Sequence, residues 1–180
     1  MKENYSGTLA IDLGNTNTVV AFQDQKDTHS VLIEIPNITS SPGVIPTALW
    51  FEEPSKILKI GISALKMSDS SKSDLFFHSN FKRLIGNPIE KNNQKNILTP
   101  TESGEKFFKF LWANIPKKYE IKRLVLTAPI DTYKGYREWL INLSSDLSVD
   151  EIALVDEPTA ASLGIDVPFG SKIMTLDIGG

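Results

Sequence analysis

The chain has 180 residues, 41% hydrophobic and 23% charged, enough apolar material to bury a core in one or two small globular units, so disorder is not the default. Lysines and arginines number 19 against 22 acidic residues, and the net charge of -3 gives no electrostatic footprint for nucleic acid or an anionic membrane. With no cysteine and only two isolated histidines, His29 and His78, thiolate and histidine metal sites are excluded, and any metal would be held by oxygen.

In chain order, Leu9, Ile11 and Leu13 alternate, the pattern breaks at Gly14-Asn15-Thr16-Asn17, and it resumes from Thr18 to Phe22. This is a strand, a tight polar turn and a second strand. A third strand is expected from Val31 to Ile35, ended by Pro36, and another from Ala48 to Phe51 after the loop Ser40-Ser41-Pro42-Gly43. The first quarter therefore reads as a β-meander. A polar stretch from Met67 to Lys72 leads into Asp74 to Gly86, where Phe77, Phe81, Leu84 and Ile85 share one helical face and Gly86-Asn87-Pro88 is a stop signal. Residues 88–96 read as an exposed loop.

Thr99-Pro100-Thr101-Glu102 has the form of a capping box with proline at the first helical position, and Phe108, Leu111, Trp112 and Ile115 supply the stripe behind it. From Ile121 the pattern is strand, helix, strand, helix, strand. Leu124-Val125-Leu126 runs into Ala128-Pro129, Tyr136, Trp139, Leu140 and Leu143 are in helical phase, and Ile152 to Val155 is the next strand. A short helix starts at Pro158 and a last strand is expected from Ile173 to Leu176. The whole is an α/β arrangement with crossovers. No apolar run approaches a membrane span and the start lacks a secretory signal's apolar stretch, so a cytoplasmic location is expected.

Two turns share one design: Ile11-Asp12-Leu13-Gly14 and Leu176-Asp177-Ile178-Gly179-Gly180 are each a strand, an aspartate, an aliphatic residue and glycine. The carboxylate sits at the sheet edge, the glycine lets other backbone approach, and backbone N–H groups can face phosphate oxygens while the aspartate holds Mg2+ through water. Taken alone, either turn reads first as an ordinary hairpin. Two of them in one chain favour a phosphate cradle, and it is of neither the P-loop nor the dinucleotide-binding kind, since both of those fingerprints are missing.

The segment Ile11 to Ala21 resembles the first phosphate segment of the DnaK-type 70-kDa heat-shock chaperones, members of the actin and sugar-kinase superfamily. Pro46-Thr47, Phe81-Lys82-Arg83-Leu84-Ile85-Gly86, Leu126-Thr127-Ala128-Pro129, Glu157-Pro158-Thr159-Ala160-Ala161-Ser162 and Leu176 to Gly180 follow in family order. The resemblance runs from about residue 8 to the end. It implies an actin-like (ribonuclease H-like) ATPase lobe, a mixed sheet with flanking helices plus a smaller α/β subdomain. Residues 1–46 and 118–180 would form the inner subdomain and 47–117 a trimmed outer one. The second lobe and the peptide-binding domain would lie outside these residues, with the chain ending inside its second phosphate turn.

By the same resemblance, Asp12, Glu157 and Asp177 would hold Mg2+ through water, and Gly14, Asn15, Thr16, Asn17, Gly179 and Gly180 would line the ATP or ADP phosphates. Lys82 would reach the γ-phosphate and the attacking water, so that Lys82, Glu157, Asp177 and Asp12 form the catalytic set. Pro129 and Arg137 match the family's relay to the peptide-binding domain. Implied partners of the parent protein are unfolded peptide clients, a J-domain co-chaperone and a nucleotide exchange factor. The lobe alone would bind nucleotide weakly, show little turnover and expose a surface prone to self-association.

Each residue also has a plainer reading. Lys82 could be a solvated helix lysine, Glu157 a carboxylate at a helix N-terminus, and Arg137 a surface residue. Asn15 stands where the family carries threonine, and Ile130-Asp131-Thr132 replaces its aromatic pair. An actin-like filament protein and a sugar or acetate kinase are the alternatives on the same fold.

Overall fold

The computed structural model describes residues 4–71, 74–87, 97–130, 134–165, 168 and 170–175. Strand β1 (Tyr5–Leu13) turns back antiparallel into β2 (Asn17–Asp24), with Leu13 opposite Thr18. Period-2 alternation drives this, since Leu9, Ile11, Leu13, Val20 and Phe22 all point into the core and are at most 2% exposed. Short strands β3 (Ser30–Leu32) and β4 (Val44–Pro46) both pair with β2. A second sheet follows from β5 (Ala48–Glu52), β6 (Ile57–Ile60) and, beyond helix α1 (Ile62–Ser70), β7 (Phe77–Ser79). Its order is β6-β5-β7.

Helix α2 (Pro100–Ala113) starts with the expected capping box. The Thr99 hydroxyl accepts from the Glu102 N–H at 3.2 Å, and the Glu102 carboxylate accepts from the Thr99 N–H at 2.8 Å. These bonds hold the Glu102 carboxyl below its usual range. Strand β8 (Tyr119–Ala128), helix α3 (Lys134–Ser145), strand β9 (Glu151–Asp156) and helix α4 (Glu157–Gly164) complete the described elements. The first sheet runs β3-β2-β1-β8-β9, with β8 and β9 parallel to β1. The architecture is thus a mixed sheet with flanking helices.

One core joins the two sheets. Leu9, Ile11 and Leu126 meet Phe107, Phe108 and Leu111 of α2, Tyr136 and Leu140 of α3, and Leu49 and Ile60 of the second sheet. Each fully buried side chain of this size contributes about 1.5–3 kcal/mol. Trp50, Ala48 and Ala64 form a smaller cluster between β5 and α1. Among the described residues no helix is long and apolar enough to cross a membrane.

Three expectations change. The helix over Asp74 to Gly86 is instead β7 followed by a single 3-10 turn, Lys82–Leu84. Asn80, at φ 56, is left-handed and interrupts any helix there. Its apolar residues also serve different partners, Phe77 packing on the Trp50 cluster and Phe81 and Ile85 entering the main core. The strand Val31 to Ile35 is shortened to Ser30–Leu32; Ile33, whose N–H still donates to the Val20 carbonyl of β2, and Ile35 are buried in the core. Of the strand expected from Ile173 to Leu176, Leu176 lies outside the described residues and residues 173–175 are not in a strand. They pair with no described strand, and Ile173 and Met174 are 46% and 90% exposed. The polar stretch after Met67 belongs to the end of α1, a helix whose weak amphipathic pattern left it unread. Strands β4 and β6 were likewise too short to stand out, and the expected loop at 88–96 lies outside the described residues.

Candidate active site

Strands β1, β8 and β9 are parallel neighbours and end at the same level. Ile11 pairs with Leu126, Thr127 with Val155 and Ala128 with Asp156, so Asp12, Thr127 and the Asp156-Glu157 junction share one sheet edge. Ligands of open α/β sheets bind beyond such carboxyl ends, where strands hand over to loops and helix N-termini. Asp12 is exposed between buried Ile11 and Leu13, and its Oδ1 accepts from the Thr127 hydroxyl at 2.5 Å.

The turn after Asp12 closes because residue 14 is glycine. A Cβ there would lie 2.1 Å from the Asn17 carbonyl oxygen, and the Gly14 N–H donates to the Asp12 carbonyl at 3.2 Å. The tip is held from outside. Asn15 Nδ2 donates to Asn80 Oδ1 at 3.1 Å, and the Thr16 carbonyl accepts from the Thr47 N–H at 2.8 Å. The Thr18 and Thr47 hydroxyls are 2.9 Å apart and buried. Thr16 and Asn17 stay exposed at the tip.

Lys82 lies 2.6 Å from Glu157 Oε1, with side chains 11% and 24% exposed, so it is not a solvated lysine. Its ammonium also sits over the Tyr136 ring, 5.5 Å from the centroid. Buried Phe81 and Ile85 anchor the 3-10 turn, and Gly86, at φ 75, packs its backbone on that of Gly135 in α3. Glu157 occupies the first turn of α4, just before Pro158, where the helix dipole favours a carboxylate. Both the structural and the site reading of Glu157 are compatible with that placement.

Tyr136 is 2% exposed, and its hydroxyl makes no hydrogen bond among the described residues. Burial first, then the charges of Glu157 and Asp12, push its phenol up, so it keeps its proton. The Lys82 ammonium over its ring puts Tyr136 beside the Lys82–Glu157 pair. Arg137 Nη1 donates to Asp156 Oδ1 at 2.6 Å and to the Pro129 carbonyl at 3.4 Å, so Pro129 and Arg137 are in direct contact. Ile130 is 58% exposed.

Asp177, Gly179 and Gly180 lie outside the described residues, as do Asp131 and Thr132 of the segment after Pro129. Among the described residues no three acidic or histidine side chains cluster tightly enough to hold a metal directly. Asp12 and Glu157 supply oxygen donors of the kind a hydrated magnesium ion takes, and a magnesium ion keeps most of its water. A glycine turn with no room for a Cβ, a lysine, and a buried hydroxyl lacking a partner complete a set that fits Mg2+ with phosphate.

Periodicity and motif reading missed Asn80, Tyr136 and Asp156 as neighbours of the site. Asp156 stands directly before Glu157-Pro158 and could have been found from that position. Asn80 and Tyr136 carry no local signal, since an asparagine after a strand and an aromatic on a helical stripe are both commonplace.

No family model matches the chain. It is 28% identical over 178 residues to the chaperone protein DnaK of Metamycoplasma hominis, covering 96% of this chain and 28% of that one. It is 27% identical over 177 residues to the chaperone protein DnaK of Mycoplasmopsis synoviae (strain 53), with the same coverage of 96% and 28%. Against the chaperone protein DnaK of Thermotoga petrophila it is 28% identical over 186 residues, covering 100% of this chain and 30% of the relative. The chain therefore spans less than a third of the length of these relatives. The names favour neither the filament nor the kinase alternative. The mixed sheet with flanking helices is that of an actin-like ATPase lobe, and the chain is a divergent homologue of the DnaK-type chaperones.

Proposed function

We propose that the chain is the N-terminal lobe of the ATP-binding domain of a heat-shock-type chaperone, whose parent protein binds and hydrolyses Mg-ATP to control its hold on unfolded peptide. The observation that carries this reading is the meeting of Lys82 and Glu157, 75 residues apart in sequence, beside the strand ends that bear Asp12. Phosphoryl transfer needs positioning and charge compensation more than a covalent nucleophile, and this is the kind of residue set it needs.

In this reading Asp12 and Glu157, with Asp177, hold the waters of Mg2+, which when bound neutralises phosphate charge. Gly14, Asn15, Thr16 and Asn17 face the phosphates from the first turn, and Gly179 and Gly180 from the second. Lys82 exchanges its bond to Glu157 for the terminal phosphate and the water beside it. The Pro129–Arg137 contact relays nucleotide state toward the peptide-binding domain. Residues 1–46 and 118–180 act as the inner subdomain and 47–117 as the outer one. The parent works in the cytoplasm with client peptides, a J-domain partner and an exchange factor.

The 180 residues alone carry part of the nucleotide contact surface. Calorimetric titration with Mg-ATP is expected to give affinity weaker than micromolar, abolished by Lys82→Ala, and a phosphate-release assay is expected to show little turnover. Micromolar affinity with steady turnover would overturn the half-site reading, and no binding at millimolar Mg-ATP would overturn the nucleotide reading itself. The exposed Leu163, Ile165, Ile173 and Met174 around and beyond α4 support self-association of these residues. Sedimentation at rising concentration is expected to show dimers or larger species; a strict monomer rules this out.

A further inference from the structure

The Tyr136 hydroxyl, beside the Lys82–Glu157 pair, is buried and has no hydrogen-bond partner among the described residues. A phenylalanine would fill the same space between Trp139, whose ring centroid is 5.5 Å away, and the Lys82 ammonium. The extra oxygen is buried and unpartnered among the described residues, a state that costs free energy until an acceptor arrives.

No carboxylate of the site accepts from the Tyr136 hydroxyl among the described residues. Glu157 Oε1 is taken by Lys82 and Asp12 Oδ1 by Thr127. A buried phenol keeps its proton and so has a hydrogen to donate, and an oxygen acceptor brought by a ligand would satisfy it. The hydroxyl is closed off from solvent, and the Lys82 ammonium, bonded to Glu157, lies over the same ring. An anion that draws Lys82 away from Glu157 would free the space over that ring.

We propose that the Tyr136 hydroxyl is a further phosphate-positioning group, donating to an oxygen of the terminal phosphate of ATP once Lys82 turns from Glu157 to that phosphate. This rests on the nucleotide reading above and adds to it a group that tells ATP from ADP. Family resemblance does not assign it; the unpartnered atom and its neighbours do.

The test is Tyr136→Phe in the full 180-residue chain, which removes one oxygen and no volume of consequence. Affinities for Mg-ATP and for Mg-ADP are read separately by NMR titration at millimolar nucleotide, beside wild type and Lys82→Ala. Tyr136→Phe is expected to weaken Mg-ATP about tenfold, leave Mg-ADP within about twofold, and leave the urea midpoint of the nucleotide-free protein unchanged or higher. Equal losses for both nucleotides overturn the proposal, as does no loss for either. A lower urea midpoint without nucleotide also overturns it, because the hydroxyl would then have a protein or water partner. If Lys82→Ala loses Mg-ATP and Tyr136→Phe does not, the nucleotide reading stands and the role of Tyr136 falls. If wild type binds neither nucleotide, both fall.

Discussion

Asp12 lies at the end of β1 and Glu157 directly follows the end of β9, two parallel strands with β8 between them, whereas Lys82 arrives from an irregular segment between the three-stranded sheet and α2. Asp12 is placed by ladder register, which an alternating apolar pattern enforces because a one-residue slip would bury Asp12 and expose Ile11, and Glu157 follows directly on Asp156, the last residue of β9 paired with β8. The lysine has no ladder. Its position depends on the left-handed Asn80, on the buried anchors Phe81 and Ile85, and on the backbone contact of Gly86 with Gly135. A group set by register is robust to loop changes, while one set by a few tertiary contacts can be moved by a single methyl.

The sharpest way to break this contrast is Gly86→Ala. Residue 86 combines φ 75 with a Cβ position 2.7 Å from the Gly135 carbonyl carbon, so the substitution is expected to cost about 2–3 kcal/mol and to separate Lys82 from Glu157. Gly164→Ala is its control, because among the described residues nothing lies within 4 Å of that added carbon. Unfolding free energies from urea titration of the pair should differ by most of that amount; similar values would mean that the Gly86 contact does not hold the segment.

The second sheet has a weakness to acid that the first does not share. His78, at the centre of β7, is 3% exposed with Nε2 unpaired among the described residues, and burial pushes its pKa down to about 4. The unfolded chain, with histidine near 6.5, then binds more protons between pH 6.5 and 4. Its contribution to stability is complete above pH 6.5 and is lost as pH falls toward 4, by at most about 3 kcal/mol. Stability measured across that window should fall less steeply in His78→Leu than in wild type, and equal slopes would refute this account.

The smallest expected effect tests a local device outside the comparison. Thr99→Ala removes the hydroxyl half of the α2 capping box and should cost about 1 kcal/mol, read as a lower urea midpoint. A loss as large as that of Gly86→Ala would show that the α2 start is coupled to the Lys82 segment.

Much of the site was legible because its chemistry sits on regular elements. Alternation located β1 and β2, the Asp12-to-Asn17 turn stood out as their break, and Pro158 marked the start of α4 and so the position of Glu157. The middle of the chain was misread for a physical reason. Phe77, Phe81, Leu84 and Ile85 happen to fall at helical spacing, yet β7 takes Phe77 into backbone pairing with Trp50 while Phe81 and Ile85 go to a different cluster. Periodicity cannot tell one shared partner from two.

Sequence by itself determined the sheet edge, the capping box and the identity of the charged residues, since these follow from alternation, caps and turn chemistry over a few neighbouring positions. Only the tertiary structure decided that Lys82 pairs with Glu157, that Arg137 meets Asp156 and Pro129, and that the Tyr136 hydroxyl is left without an acceptor. Those are contacts between segments distant in the chain. They depend on how the second sheet and α3 pack against the strand ends, and no short window of sequence contains that information.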